Sequence, residues 1–113
     1  MTETKRPQQV FTLLVELGRQ KGDKLPKGAT GAGLLIYATG VDEEEAVRET
    51  VAVLKQADLN PLEVTSYGTL EERLNAGDEV LQEERDLMAR ALAENSVIVA
   101  QKTYFTDEDV END

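Results

Sequence analysis

The sequence contains no histidine and no cysteine, so the side chains that most often carry catalysis or bind transition metals are missing. Histidine is the commonest general base near neutral pH, and zinc prefers imidazole and thiolate ligands. Serine–histidine and cysteine–histidine nucleophile pairs and disulfides are therefore excluded. Carboxylates remain, but 23 acids among 113 residues single out no acid–base pair. We expect no enzyme activity, no catalytic residue and no cofactor.

Two runs of acids are the candidates for binding Mg²⁺ or Ca²⁺. They occupy residues 42–45 and residues 107–109. A calcium loop of the EF-hand type needs alternating ligands, a central glycine and a terminal glutamate, and neither run has that spacing. Acids in the first turn of a helix are favoured by the helix dipole. We therefore interpret residues 42–45 as the start of a helix and predict no metal site.

The glycines of residues 28–33 invite comparison with a phosphate-binding loop. Such loops follow a strand and precede a helix, so that the amides at the helix N-terminus face the anion. Here the glycines precede a predicted strand, and no Lys-Ser or Lys-Thr pair follows them. The pattern favours a flexible hairpin loop over residues 18–33, in which glycine tolerates positive φ.

The same loop is basic in an otherwise acidic chain. Its four cations surround a single acid, Asp23; they are Arg19, Lys21, Lys24 and Lys27. Long loops inside small domains are often functional or disordered. The four cations are a candidate anion-binding site for a small ligand or for the acidic surface of another copy of the chain.

The net charge of −11 is unevenly distributed along the chain. Residues 1–33 carry a local charge of +3, and residues 34–113 carry −14. An acidic body repels phosphodiester backbones, so we predict no nucleic-acid partner. No stretch approaches the roughly 20 apolar residues of a membrane span, and residues 1–9 lack the apolar core of a secretory signal. We predict a cytoplasmic protein without a membrane partner.

Hydrophobic periodicity predicts four strands and two main helices. The strands are expected over 10–17, 33–39, 62–67 and 97–105, with the first two paired as a hairpin. One helix begins at Asp42 with Glu45 in a capping box and ends before Pro61. A second capping box, Thr69 to Glu72, opens a short piece that residues 75–77 interrupt, and Asp78 is expected to cap the longer second helix.

The order β-β-α-β-α-β predicts an α+β fold. We expect a two-layer α/β sandwich in which a four-stranded mixed sheet carries two helices on one face, in a ferredoxin-like arrangement. Residues 10–105 form the single domain, residues 1–9 a flexible N-terminus, and residues 106–113 a flexible acidic tail.

The sheet face away from the helices is then the candidate interaction face. Its predicted members are Leu14, Leu35, Tyr37, Thr39, Glu63, Thr65 and Tyr67. Exposed leucine and tyrosine together suggest a contact surface, which predicts a non-enzymatic domain that forms a homodimer or binds a protein partner. A larger core, with the N-terminal segment or the loop folded over that face, is the structural alternative. The functional alternative is a regulatory domain that binds a small anion at the basic loop, with Tyr37 or Tyr67 stacking on the ligand.

Overall fold

The computed structural model describes residues 7–106. Within that range the chain forms four strands and three helices. The strands are β1 (Gln9–Gly18), β2 (Ala29–Gly40), β3 (Asn60–Thr69) and β4 (Val97–Thr106), and the helices are α1 (Glu43–Gln56), α2 (Leu70–Asn75) and α3 (Gln82–Glu94). The order is β-β-α-β-α-α-β, with one helix more than the fold prediction allows.

The predicted hairpin is confirmed, because β1 and β2 pair antiparallel from Gln9–Gly40 to Leu17–Ala32. However, β2 begins at Ala29, and the connecting loop is therefore only residues 19–28. Gly31 lies within the strand, where a Cβ would come 2.5 Å from the carbonyl oxygen of Leu17. The interpretation of this glycine as part of a flexible loop is wrong: it allows a close approach between strands.

The sheet is antiparallel throughout, with the strand order β3-β1-β2-β4. The predicted mixed sheet and ferredoxin-like order are therefore wrong. Because β1 and β2 pair directly with each other, they take the centre of the sheet. The later strands add at the outside, β3 against β1 and β4 against β2.

The prediction of a two-layer sandwich with both helices on one face is also wrong. Helix α1 packs on one face, over a core that includes Phe11, Leu13, Val15, Leu34, Ile36 and Leu54. Helix α3 packs on the opposite face, over a second core that includes Tyr37, Val80, Met88 and Ala91. The middle of β2 is buried on both faces, at Ile36 on one and Tyr37 on the other, and water is excluded from both only when a helix lies on each.

The beginnings of the helices follow local capping chemistry. Asp42 caps α1, since its Oδ1 accepts the N–H of Glu45 at 2.9 Å. Thr69 caps α2 in a complete capping box with Glu72, as predicted. Asp78 does not cap the long helix, which begins after Leu81; its carboxylate instead accepts from Arg73 Nε at 3.2 Å.

The predicted flexible ends, 1–9 and 106–113, lie mostly outside the described residues. Gln9 and Thr106 are nevertheless the outermost residues of β1 and β4. None of the helices between residues 7 and 106 has the length and apolar character needed to cross a membrane.

Replacing Ala91 with leucine tests the close packing of α3 on the sheet. Ala91 is completely buried, and its carbonyl oxygen accepts the hydroxyl of Thr39 at 2.9 Å. We expect Ala91→Leu to lower the free energy of unfolding by about 1–3 kcal/mol, because the larger side chain forces α3 away from β2. Urea denaturation measures the loss. The control is Ala93→Leu, at an exposed position of α3, where a change beyond about 0.5 kcal/mol would contradict the packing described.

Candidate functional site

Helix α3 covers part of the predicted interaction face. Tyr37 is fully buried and Thr39 is 5% exposed, and each hydroxyl is used inside the protein. Tyr37 Oη donates to Glu84 Oε1 at 2.8 Å, and Thr39 Oγ1 donates to the carbonyl of Ala91 at 2.9 Å. The covering element is α3, whose Met88 and Ala91 pack with Tyr37.

A polar network, which we call the Arg73 network, joins α2 and α3 to the sheet. Arg73 Nη1 donates to Thr12 Oγ1 at 3.2 Å and to Glu84 Oε1 at 3.3 Å. Its Nε donates to Asp78 Oδ2 at 3.2 Å. Only 12% of the Arg73 side chain is exposed, so these partners are needed to satisfy its donors.

The network shifts the titration of its members. Burial and the hydrogen bond to Glu84 together raise the pKa of Tyr37 to about 12. Burial opposes the charge on Glu84, but hydrogen bonds from Tyr37, the Leu81 amide and Arg73 outweigh it and lower the pKa of Glu84. A neutral tyrosine that donates to an ionised glutamate is an arrangement suited to holding α3 against the sheet.

Beside this network lies a groove between α3 and the sheet, here called the α3 groove. It has a volume of about 670 Å³, and its apolar lining includes Leu35, Leu81, Leu87 and Ala100. A second hollow of about 290 Å³ adjoins it and is lined by Leu14, Glu16, Glu63, Thr65 and Phe105. The two are neighbours on this face of the sheet, because Leu14 of one lining and Leu35 of the other are opposite each other in the pairing of β1 with β2.

The structure thus divides the predicted interaction face into three parts. Tyr37 and Thr39 lie under α3, whereas Leu14, Leu35, Glu63 and Thr65 line the two neighbouring hollows. Tyr67 belongs to neither hollow lining: it is half exposed and lies at an irregularity between Ser66 and Gly68 in the edge strand β3. An interaction role for the part that is still accessible remains a prediction.

Acids line both of the neighbouring hollows. Glu83 and Asp86 of α3 line the groove, and Glu16 of β1 is directly opposite Glu63 of β3. Two like charges facing each other across neighbouring strands destabilise a sheet. Arg90 is the single cation in the lining, and it pairs with Glu94 at 3.4 Å.

The basic loop is ordered by an ion pair. Arg19 donates from Nε and Nη2 to the carboxylate of Asp23 at 3.1 and 3.0 Å, and from Nη1 to the carbonyls of Pro26 and Ala29. Hydrogen bonds from the Gln20 amide and Arg19 lower the pKa of Asp23. The guanidinium of Arg19 therefore donates to groups of the loop and of the adjoining start of β2, and not to an external anion.

The other three cations of the predicted anion site are exposed. Lys21, Lys24 and Lys27 have no ion pair within residues 7–106. Of these, Lys24 lines a further hollow on the α1 side of the sheet. Arg19 and Lys24 are only five residues apart in the sequence, but Arg19 pairs with Asp23 whereas Lys24 lines the hollow.

The described part of the chain contains no cluster of three or more acids suited to a metal ion. The sequence prediction missed Arg73 and Glu84 as partners of Tyr37. A signal was present, because Arg73 is one of only six cations in the strongly acidic residues 34–113. It also missed Lys102, which is the single charged residue of β4.

A family model described as "Domain of unknown function (DUF8846)" matches residues 10–106. The chain belongs to this family. The match spans nearly the whole described fold, from β1 to the end of β4. No curated protein and no solved structure matches the chain.

Tyr37→Phe tests the Arg73 network through the pH dependence of stability. The unfolded tyrosine ionises near its ordinary pKa of 10, and the folded one near 12. Stability from this group is therefore complete below pH 10 and is lost as the pH rises toward 12. We expect the loss, on the order of 2 kcal/mol, to be absent in Tyr37→Phe. Urea denaturation from pH 8 to pH 12 measures it, with the exposed Tyr67→Phe as control. Equal curves for wild type and Tyr37→Phe would refute the role of this hydroxyl.

Asp23→Asn tests whether the ion pair orders the basic loop. The substitution removes the charge that holds Arg19 and weakens the acceptor for the amides of Gln20 and Leu25. We expect trypsin to cut at Lys24 and Lys27 several times faster, since cleavage follows local opening. Asp86→Asn, an exposed acid of α3, is the matched control. Unchanged cleavage in Asp23→Asn would mean that the loop does not depend on this pair.

Proposed function

We propose that this protein is a non-enzymatic interaction domain that holds a basic, amphipathic segment of a partner protein in the α3 groove. One observation carries the proposal: the groove and its adjoining hollow combine an apolar floor with an acidic rim. Leu14, Leu35 and Leu87 supply the floor, and Glu16, Glu63 and Glu83 belong to the rim.

The apolar floor favours contact with apolar side chains of a partner. Leu14 is 40% exposed and Phe105 is 36% exposed, and the two line the same hollow. Leu81 at the start of α3 is 52% exposed and lines the groove beside it. Apolar side chains of a partner helix would remove this surface from water, at about 25 cal/mol for each Å² buried.

The acidic rim supports a basic partner. Glu16, Glu63 and Glu83 have no ion pair within residues 7–106. A lysine or arginine placed between Glu16 and Glu63 would relieve the repulsion between these directly opposed acids. Glu84, by contrast, is already bonded to Tyr37 and Arg73, so it stabilises the wall of the groove and is not expected to contact the partner.

A symmetric homodimer through the same face is the less favourable arrangement. Two copies would bring their acidic rims together, which adds repulsion to a chain that already carries −11. A partner of opposite charge meets the same apolar floor without that repulsion. The absence of cysteine agrees with a cytoplasmic setting, where domains fold without disulfides, and we include that location in the proposal.

Binding of a labelled model helix built from leucine and lysine tests the proposal by fluorescence anisotropy. We expect Glu83→Lys and Leu14→Ser each to raise the Kd about tenfold, the effect of about 1.4 kcal/mol, and added salt to weaken the wild-type complex. Glu49→Lys makes the same charge change on α1, on the opposite face, and should alter the Kd by less than about twofold.

Three results would count against this function. An equal loss in Glu83→Lys and Glu49→Lys would mean general charge attraction rather than a site. Unchanged binding in Leu14→Ser would remove the apolar floor from the interaction. A concentration-dependent dimer that Glu83→Lys strengthens would identify a second copy as the occupant instead.

A further inference from the structure

A separate hollow lies on the other face of the sheet, between the basic loop, α1 and β4. We call it the α1 hollow. Its volume is about 340 Å³, within the range of roughly 300–1,000 Å³ typical of small-molecule sites. Most of its lining is apolar, and the main contributors are Leu17, Leu25, Leu34, Val53, Leu59 and Val99.

The hollow exists because α1 does not reach the end of the sheet. The helix ends at Gln56, and small side chains, Ala32 and Ala57, line the space beyond it. Leu25 closes one side from the loop. Its position is fixed, because the Leu25 amide donates to Asp23 Oδ1 at 3.1 Å and Asp23 is held by Arg19. The site is therefore formed before any ligand arrives.

The charge of the α1 hollow is opposite to that of the protein as a whole. None of its twelve lining residues is an acid, and two are lysines, Lys24 and Lys102. Neither lysine has an ion pair within residues 7–106. Lys102 is also the single charge of β4, and Tyr104, two residues further along the same strand, adds a hydroxyl to the lining.

We infer that the α1 hollow binds a small amphiphilic anion, a molecule with an apolar body and one carboxylate. The apolar body packs between Leu25, Val53 and Val99. The carboxylate is held by Lys24 and Lys102. An apolar molecule without charge leaves both ammonium groups unused, and a simple anion without an apolar body leaves the leucine and valine surface in water. The site is on the opposite face from the α3 groove and does not depend on the function proposed there.

Octanoate, octanol and acetate are the probes that separate these contributions. Octanoate has the chain and the carboxylate, octanol the chain alone, and acetate the carboxylate alone. We expect octanoate to raise the melting temperature of the full chain, since a ligand that binds only the folded state stabilises it. Octanol and acetate should each bind at least about tenfold more weakly. Octanol binding as tightly as octanoate would overturn the inference.

Variants of the lysines locate the site. Lys24→Glu and Lys102→Glu should each raise the Kd for octanoate about tenfold or more, measured by calorimetry. Lys21→Glu and Lys27→Glu make the same charge change in the same loop and should leave the Kd within about twofold. Equal losses in all four variants would mean general attraction to basic side chains rather than a site. No loss in Lys24→Glu and Lys102→Glu would place octanoate elsewhere, and each of these results overturns the inference.

The acidic residues 107–113 follow β4 directly in the sequence. They are the alternative occupant of the α1 hollow that the experiment must exclude. Five of these seven residues are acids. A chain that ends at Thr106 distinguishes the two cases. We expect it to bind octanoate with the same Kd as the full chain. If only the shortened chain binds octanoate, the tail occupies the hollow, and the inference of a free small-molecule site is overturned.

Discussion

Burial of the central hairpin on both of its faces is the constraint on which this structure depends. Leu13 and Ile36 are completely buried on the α1 side, and Tyr37 is completely buried on the α3 side. A strand that is buried on both faces, as β2 is at Ile36 and Tyr37, needs a layer on each. The connection from β2 to β3 supplies α1 for one face, and the connection from β3 to β4 supplies α3 for the other.

The same arrangement leaves two edge strands, and both carry features that hinder pairing with another chain. β3 contains Pro61, which lacks an amide donor, and two irregularities in register. β4 contains Lys102 in its middle, and its pairing with β2 has two irregularities, one between Ala29 and Gly31 and one between Leu35 and Ile36. Charged residues, proline and bulges on edge strands are known protections against sheet extension. Binding is therefore expected in the hollows that the helices leave uncovered, and not along the edges.

The parts of the fold that depend on neighbouring residues could be predicted from the sequence. The parts that depend on contacts between residues distant in sequence could not. The hairpin and the caps at Asp42 and Thr69 follow from neighbouring residues, and all three are confirmed. The side of the sheet on which each helix lies depends on contacts distant in sequence, such as Tyr37 with Glu84. The alternating pattern of Leu35, Tyr37 and Thr39 predicts the open face of a sheet, but an apolar pattern at these positions equally indicates a second covering helix.

The uneven charge along the sequence becomes a difference between the two faces in the fold. Acids of α3 line the α3 groove and acids of β1 and β3 line the adjoining hollow, whereas Lys24 of the basic loop and Lys102 line the α1 hollow. The pair of Arg19 with Asp23 holds the loop, and Lys24 has no ion pair within residues 7–106. The two lysines are therefore available to the anion that we propose for this hollow, in a protein whose net charge otherwise repels anions.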